Sequence, residues 1–145
     1  MMAVGLIVAA ALTVLAGIHV YWATGGTWPG TDEASCPRAI AGFKGIDRMP
    51  PPAASLAVAA LLFIAALLAL FLASGTNALP AGLMLLAGTG ASFVFVARGI
   101  AGYLPAWRRL TPEMPFARND THYFSPLCLA LGAGFAFLTA SGMTS

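Results

Sequence analysis

Residues 49–97 read MPPPAASLAVAALLFIAALLALFLASGTNALPAGLMLLAGTGASFVFVA, without one Asp, Glu, Lys or Arg. This stretch is far longer than the roughly 20 apolar residues that a helix needs to cross the hydrocarbon of a bilayer. Two residues interrupt it: Asn77, which is of a type that caps helices, and Pro80, which suits a first helical turn. The stretch therefore predicts two membrane-spanning helices over about residues 53–73 and 79–103, joined by a tight turn.

Two further stretches, residues 1–31 and 121–145, also lack these four charged residue types. They predict a first span over about residues 2–24 and a last span over about residues 122–142. The whole chain is 59% hydrophobic and 8% charged, whereas soluble domains average about 25% charged residues. We therefore expect an all-α membrane protein, a four-transmembrane-helix bundle that forms a single domain over residues 1–145.

The charged side chains fall in or beside two segments, residues 32–48 and 98–120. Four spans bring both segments to one face of the membrane, where two longer polar loops hold all of these residues except Arg98, which lies inside the third span. Each loop carries three Lys or Arg residues, and the opposite face carries none. Because a basic excess in short loops favours the cytoplasm, the pattern predicts cytoplasmic loops and outside termini.

The small numbers of basic residues and of cysteines argue against several classes of protein. Seven Lys and Arg residues give a formal net charge of +2, which provides no basic patch for nucleic acid. The two cysteines, Cys36 and Cys128, are too few and too distant for a disulfide framework or a zinc site, so free thiols and no metal are expected. Ser125 has no nucleophile motif around it and is interpreted as a helix cap or a polar contact in the bundle.

Three segments carry a distinctive mixture of charged, aromatic, proline and cysteine residues. They are FARNDTHYFSPLCL at residues 116–129, HVYW at residues 19–22 and GGTW at residues 25–28. These segments resemble motifs of the DUF3995 family of small bacterial membrane proteins. The resemblance implies a four-span membrane protein and supplies no catalytic residues, because the family has no known function. The chain departs from the family's usual pattern in lacking basic residues at its extreme N-terminus.

Arg98 is the most costly side chain to place in lipid, because it lies about five residues, or roughly 7 Å, inside the loop-side end of the third predicted span. Intramembrane arginines usually face the bundle interior and pair with another group. Asp120, at the mouth of the last span, is the first expected partner, and Asp47 is the second. The alternative is an arginine that extends to the lipid headgroups without a protein partner.

A polar ligand site near the loop-side membrane face is the first functional hypothesis. Its candidate residues carry ionisable or amphipathic aromatic side chains: His19, Trp22, Arg98, Arg118, Asp120 and Tyr123. The site would bind a lipid-like or quinone-like amphiphile, since such ligands need few polar anchors and apolar walls, with Phe95 and Tyr103 beside the tail. Haem held by His19 and His122 is disfavoured, because no Cys-x-x-Cys-His motif is present and His122 begins its helix. The identity of any cofactor stays unknown.

A non-catalytic accessory or structural subunit is the alternative hypothesis. Small residues recur at helical spacing in runs such as 87–92 and 130–134, and small faces let membrane helices approach closely. Such faces would dock another membrane protein chain. A proton-coupled exporter is disfavoured because no acidic residue lies in the middle of a span. The sequence does not decide whether the protein is an enzyme.

Overall fold

The computed structural model describes residues 1–76 and 79–143, and these residues form helices and connecting segments without a β-strand. The α-helices are α1 Met2–Ala23, α2 Ser35–Ile40, α3 Pro52–Ser74, α4 Ala81–Ala101, α5 Pro105–Leu110, α6 Phe116–Asn119 and α7 Ser125–Met143. A π-helical turn, Asp120–Phe124, joins α6 to α7. These last three elements form one continuous helix.

Within the described residues, four helices are long and apolar enough to cross a membrane: α1, α3, α4 and the continuous helix Phe116–Met143. This finding confirms the all-α, four-span membrane fold expected from the sequence, and it implies a multi-pass protein surrounded by lipid. The last helix is 28 residues long and begins at Phe116. It starts ahead of the position expected near His122, because α6 and the π-helical turn extend it on the loop side.

The residue types at the ends of α3 and α4 explain where these helices begin and end. Pro52 occupies the first turn of α3, where its missing N–H costs no hydrogen bond. Gly75 follows the same helix with a φ of 66°, which glycine adopts without strain. Pro80 directly precedes α4, while the expected cap Asn77 lies outside the described residues. Gly75 and Pro80, which lie within the long apolar stretch, are therefore at helix boundaries.

The four spans pack mainly as two antiparallel pairs, α1 with α3 and α4 with α7. Glycines permit the close approach within each pair. A Cβ at Gly5 of α1 would collide with the Ala73 side chain of α3, and a Cβ at Gly132 of α7 would lie 2.6 Å from the Val96 side chain of α4. Because lipid provides no hydrophobic drive between helices, this backbone proximity is a main source of contact energy.

The core draws residues from all four spans, and its fully buried side chains include Leu12, Phe135 and Leu138. Phe95 of α4 stacks on Phe135 with ring centroids 5.8 Å apart. The Phe95 ring packs against this core, and its place beside a ligand tail stays a prediction.

The two polar loops bind to each other on one face of the bundle. The backbone N–H of Lys44 donates to the carbonyl of Leu110 at 3.1 Å, and that of Glu113 donates to the carbonyl of Gly42 at 3.1 Å. The Glu113 carboxylate accepts a further hydrogen bond from the N–H of Gly45 at 2.9 Å. These contacts tie the loop-side end of the first helix pair to that of the second.

Candidate functional site

Asp120, in the π-helical turn, is a fully buried carboxylate with 0% exposure. Its Oδ1 accepts hydrogen bonds from Arg98 Nη2 at 2.7 Å and from Ser125 Oγ at 3.4 Å. Its Oδ2 accepts hydrogen bonds from Trp107 Nε1 at 2.9 Å and from Arg108 Nη2 at 3.1 Å. We call these five residues the Asp120 cluster. The cluster joins α4, α5 and the last helix on the loop side.

A helical irregularity and a glycine bring the Asp120 cluster together. A π-helical turn bonds residues five apart, so Asp120 and Ser125 lie on one side of the last helix. Gly102, just after α4, approaches them so closely that a Cβ there would collide with Ser125 Oγ and lie 3.1 Å from Asp120 Oδ2. Pro105 then begins α5. This short helix returns to the carboxylate and supplies the indole and the second guanidinium.

Arg98 is held against the protein instead of extending freely to the headgroups. Besides its bond to Asp120, its guanidinium carbon lies 4.9 Å from the centroid of the Trp107 ring, within cation–π range. The Arg98 side chain remains 31% exposed, and its Nη1 is buried without an acceptor in the described part of the chain. Asp47, the second expected partner, is exposed and forms no ion pair with a described residue.

Two members of the cluster, Trp107 and Arg108, were missed by sequence reasoning. Arg108 donates to two backbone carbonyls, at 2.9 and 3.3 Å, as well as to Asp120 at 3.1 Å. Pro105 is a signal that a helix begins there. No feature of the sequence distinguishes Arg108, which is partly buried, from its exposed neighbour Arg109.

His19 and Trp22 lie apart from the Asp120 cluster, in a cleft of about 190 Å³ between α1, the end of α2 and the start of α3. The His19 ring packs edge-on against Trp22 with centroids 4.9 Å apart. Trp22 Nε1 donates to the carbonyl of Trp28 at 2.7 Å. We call this space the His19 cleft. Its mostly apolar walls comprise His19, Trp22, Ile40, Ala41, Pro50, Ala54, Ser55 and Val58.

Two polar groups of the His19 cleft have unused hydrogen-bonding capacity. His19 Nδ1 lies 2.8 Å from the carbonyl oxygen of Leu15. Because a carbonyl only accepts, this bond assigns the proton of the neutral ring to Nδ1 and leaves Nε2 as an acceptor. Ser55 is only 7% exposed, and its hydroxyl has no hydrogen-bond partner among the residues described. The cleft thus combines one acceptor and one hydroxyl with apolar walls.

Arg118 and Tyr123, the remaining candidates, are exposed on the loop side. Tyr123 is 67% exposed, and the backbone carbonyl of Arg118 accepts a hydrogen bond from His122 Nδ1 at 2.8 Å. No hydrogen bond or ion pair of the described residues joins either side chain to Asp120 or to His19. The six candidate residues are therefore divided between the cleft, the cluster and the exposed surface.

The candidate metal and redox groups are dispersed. His19 and His122 each bond to a carbonyl one turn earlier in their own helix, which gives no support to haem ligation by this pair. Within residues 1–76 and 79–143, no three His, Cys, Asp or Glu side chains group as a metal site. Cys36 and Cys128 are free thiols, and burial raises the pKa of the Cys36 thiol.

Comparison with known proteins adds one finding about the whole chain. A family model described as "Protein of unknown function (DUF3995)" matches residues 2–135. This range contains every residue of the His19 cleft and of the Asp120 cluster. Comparison with curated proteins and with solved structures gives no match. Function must therefore be argued from the geometry of the chain itself.

Proposed function

The chain belongs to the DUF3995 family, whose function is unknown, and we propose that it binds a lipid-like or quinone-like amphiphile in the His19 cleft. One observation carries this proposal. Ser55, a residue that is 7% exposed, lines the same cleft as His19, and its hydroxyl lacks a partner among the described residues. A hydroxyl in a mostly apolar cleft can hydrogen-bond a ligand that supplies polar atoms.

The size of the cleft suits the head of an amphiphile. Its volume of about 190 Å³ is below the roughly 300 to 1,000 Å³ of sites that enclose a drug-sized ligand. The cleft therefore holds a polar head, while the apolar tail lies in the surrounding lipid. Val58, which lines the cleft on α3, is 40% exposed, so this wall continues into the lipid-facing surface.

The polar groups favour a head with two oxygens. Neutral His19 Nε2 would accept a hydrogen bond from a hydroxyl, and the Ser55 hydroxyl would donate to a second oxygen. Ile40, Ala54 and Val58 supply apolar contact with a ring. A quinol, which is a flat ring that carries two oxygens, combines these properties. Neither of the two polar groups is a fixed charge, so the proposed head is neutral.

Orientation follows from the basic residues, and we propose a bacterial inner membrane with the cleft at the cytoplasmic face. The residues that support this orientation are Arg38, Lys44 and Arg48 in the first polar loop and Arg108, Arg109 and Arg118 in the second. A basic excess in short loops tends to remain cytoplasmic. A reporter fused after Ser145 should behave as extracytoplasmic, and cytoplasmic behaviour would reverse the orientation.

The binding proposal is tested by titrating the purified protein in lipid nanodiscs with a short-chain benzoquinol and measuring its Kd calorimetrically. His19→Phe keeps a ring against Trp22 but removes the acceptor, and Ser55→Ala removes the hydroxyl. Each change should weaken binding by up to about tenfold, the effect of losing one hydrogen bond. His122→Phe, at an exposed histidine on the same face, is the matched control and should leave the Kd unchanged. Undiminished affinity in both cleft variants would overturn the proposal.

An accessory subunit is the second candidate, supported by glycines that no other described helix covers. A Cβ at Gly17 of α1, or at Gly82 or Gly90 of α4, would meet no atom of another described segment within 4 Å. Outward small residues allow another membrane helix to approach. Absence of quinol binding, together with a stoichiometric membrane partner that Gly17→Leu or Gly90→Leu releases, would assign the protein to this class.

A further inference from the structure

The Asp120 cluster contains two guanidinium groups and one carboxylate. Arg98 Nη2 and Arg108 Nη2 lie 2.7 and 3.1 Å from the oxygens of Asp120. In the described part of the chain, no second acidic side chain pairs with either arginine. Two cations and one anion leave one positive charge without a partner.

Arg98 has the larger unused capacity of the two arginines. A guanidinium has five N–H donors, and Arg98 makes one hydrogen bond, to Asp120. Arg108 makes four hydrogen bonds through its two terminal nitrogens. Arg98 Nη1 is buried without an acceptor among the described residues, while 31% of the side chain remains exposed. Arg98 is therefore a cation that the protein itself satisfies only in part.

The depth of Arg98 indicates where its missing acceptor comes from. The residue lies three positions before the end of α4 at Ala101, which corresponds to about 4.5 Å along the helix axis. A long side chain at this depth reaches the layer of lipid headgroups. Anionic groups are present there as lipid phosphates or as ions from the adjoining solution.

We propose that Arg98, which shares the Asp120 carboxylate with Arg108, binds the phosphate group of an anionic ligand at the loop-side membrane face. Phosphate oxygens accept hydrogen bonds from guanidinium groups in bidentate geometry, and the charge of the phosphate offsets the excess cation. An anionic phospholipid and inorganic phosphate share this chemistry. The site is separate from the His19 cleft, because no residue of the Asp120 cluster lines that cleft.

Trp107 reports directly on this site, because its ring lies 4.9 Å from the Arg98 guanidinium carbon. The chain has three tryptophans, so a Trp22→Phe, Trp28→Phe protein retains Trp107 alone. In nanodiscs, brominated phosphatidylglycerol should quench Trp107 fluorescence more strongly than brominated phosphatidylcholine, whose choline already neutralises its phosphate. Equal quenching by the two lipids would contradict a lipid source for the phosphate.

The role of Arg98 is tested in the same protein by Arg98→Gln, with Arg109→Gln on the exposed side of α5 as the matched control. Each variant removes one positive charge from the loop side. Arg98→Gln should weaken the binding of phosphatidylglycerol roughly tenfold or more, as expected for the loss of a charge-assisted hydrogen bond. Arg109→Gln should retain it. Retention of full binding by Arg98→Gln would overturn the proposal.

A second arm adds inorganic phosphate to protein in phosphatidylcholine nanodiscs and follows Trp107 fluorescence and Tm. If added phosphate changes Trp107 fluorescence or Tm in an Arg98-dependent way and phosphatidylglycerol is not preferred, the site binds a free anion. If phosphatidylglycerol is preferred and added phosphate has no such effect, the site binds a lipid. Either result supports the phosphate chemistry. If Arg98→Gln does not fold, the comparison of the two lipids and the addition of phosphate still test the site in the protein that retains Arg98. No lipid preference and no phosphate response would refute the site.

Discussion

The loop-side end of the bundle and the opposite end are built differently. At the loop side, Asp120 accepts hydrogen bonds from four donor groups, and the two polar loops are hydrogen-bonded to each other. At the opposite end, a cavity of about 610 Å³ lies among the helix ends, with apolar lining residues such as Phe71, Leu85 and Met143. The hydroxyl of Thr139, another lining residue, is buried without a partner in the described part of the chain.

This difference shows where the bundle gains its specificity. Membrane helices associate through close packing and polar bonds, and an unsatisfied polar group in hydrocarbon is costly. The loop-side end uses both sources of stability, and among the buried side-chain atoms of the described residues only Arg98 Nη1 lacks an acceptor there. The opposite end has a cavity, and the Thr139 hydroxyl that lines it has no partner in the described part of the chain. Both proposed binding sites lie at the loop-side end, where the surrounding contacts hold the binding residues in place.

The largest expected effect in a test of this comparison is that of Asp120→Ala. The change removes an acceptor shared by two arginines and leaves both cations unpaired, so the free energy of unfolding should fall by about 3 to 5 kcal/mol. Reversible unfolding in mixed micelles measures this loss. Asp47→Ala, at an exposed carboxylate without an ion pair, should change stability by less than about 0.5 kcal/mol. Equal losses at the two positions would show that the contacts of Asp120 add no special stability to the loop-side end.

Arg98→Ala should destabilise less than Asp120→Ala, because Asp120 then keeps three of its donor groups. A loss of about 1.5 to 3 kcal/mol is expected for one charged hydrogen bond. The Arg98→Ala, Asp120→Ala double variant should lose less stability than the sum of the single changes, since neighbours in contact are not additive. Strict additivity in the same unfolding assay would contradict a direct pair.

A smaller change in stability is expected for alanine substitutions at two glycines, one in a crowded place and one in open space. Gly102→Ala places a Cβ against Ser125 and Asp120, and overpacking of this kind costs about 1 to 3 kcal/mol. Gly82→Ala, at the opposite end, meets open space and should be neutral or stabilise by up to about 1 kcal/mol. Thermal unfolding of both variants in one detergent compares the two ends. A loss at Gly82 as large as that at Gly102 would contradict the difference in packing.

The smallest effect is expected for Thr139→Val. The change keeps the branched shape and removes a buried hydroxyl that has no partner in the described residues. The removal of an unpaired polar group should be neutral or stabilise by up to about 1 kcal/mol. Unfolding in mixed micelles again provides the measurement. A clear loss of stability would show that the hydroxyl makes a bond in the membrane and that this end is also joined by polar contacts.

The sequence predicted the parts of this architecture that depend on transfer into lipid. Charge-free stretches predict spans because ionisable side chains are too costly in hydrocarbon, and the structure has the four spans. Because Arg98 lies inside a predicted span, the sequence also predicted that it pairs with a carboxylate. The structure brings its guanidinium to Asp120, the first candidate in the adjoining span.

The remaining features depend on contacts between distant residues, which spacing does not encode. Trp107 and Arg108 reach Asp120 because α5 folds back after α4, and the choice between Arg108 and Arg109 is made by this packing. Ser55 reads as one small residue in an apolar helix, and its place opposite His19 follows from the pairing of α1 with α3. The separation of His19 from Arg98 has the same origin, since the two residues lie in different helix pairs.

The π-helical turn, Asp120–Phe124, constrains how the gene for this protein can change. An in-frame deletion of a single codon within the turn would keep the reading frame and allow an unbroken α-helix. Because a π-helical turn holds one residue more than an α-helical turn, later residues such as Gly132, which admits the Val96 side chain, would keep nearly the same direction toward α4. The same deletion within α7 would rotate every later residue by about 100° about the helix axis, one residue's share of a 3.6-residue turn. The π-helical turn is therefore the part of the last helix where the loss of one codon disturbs the packing least.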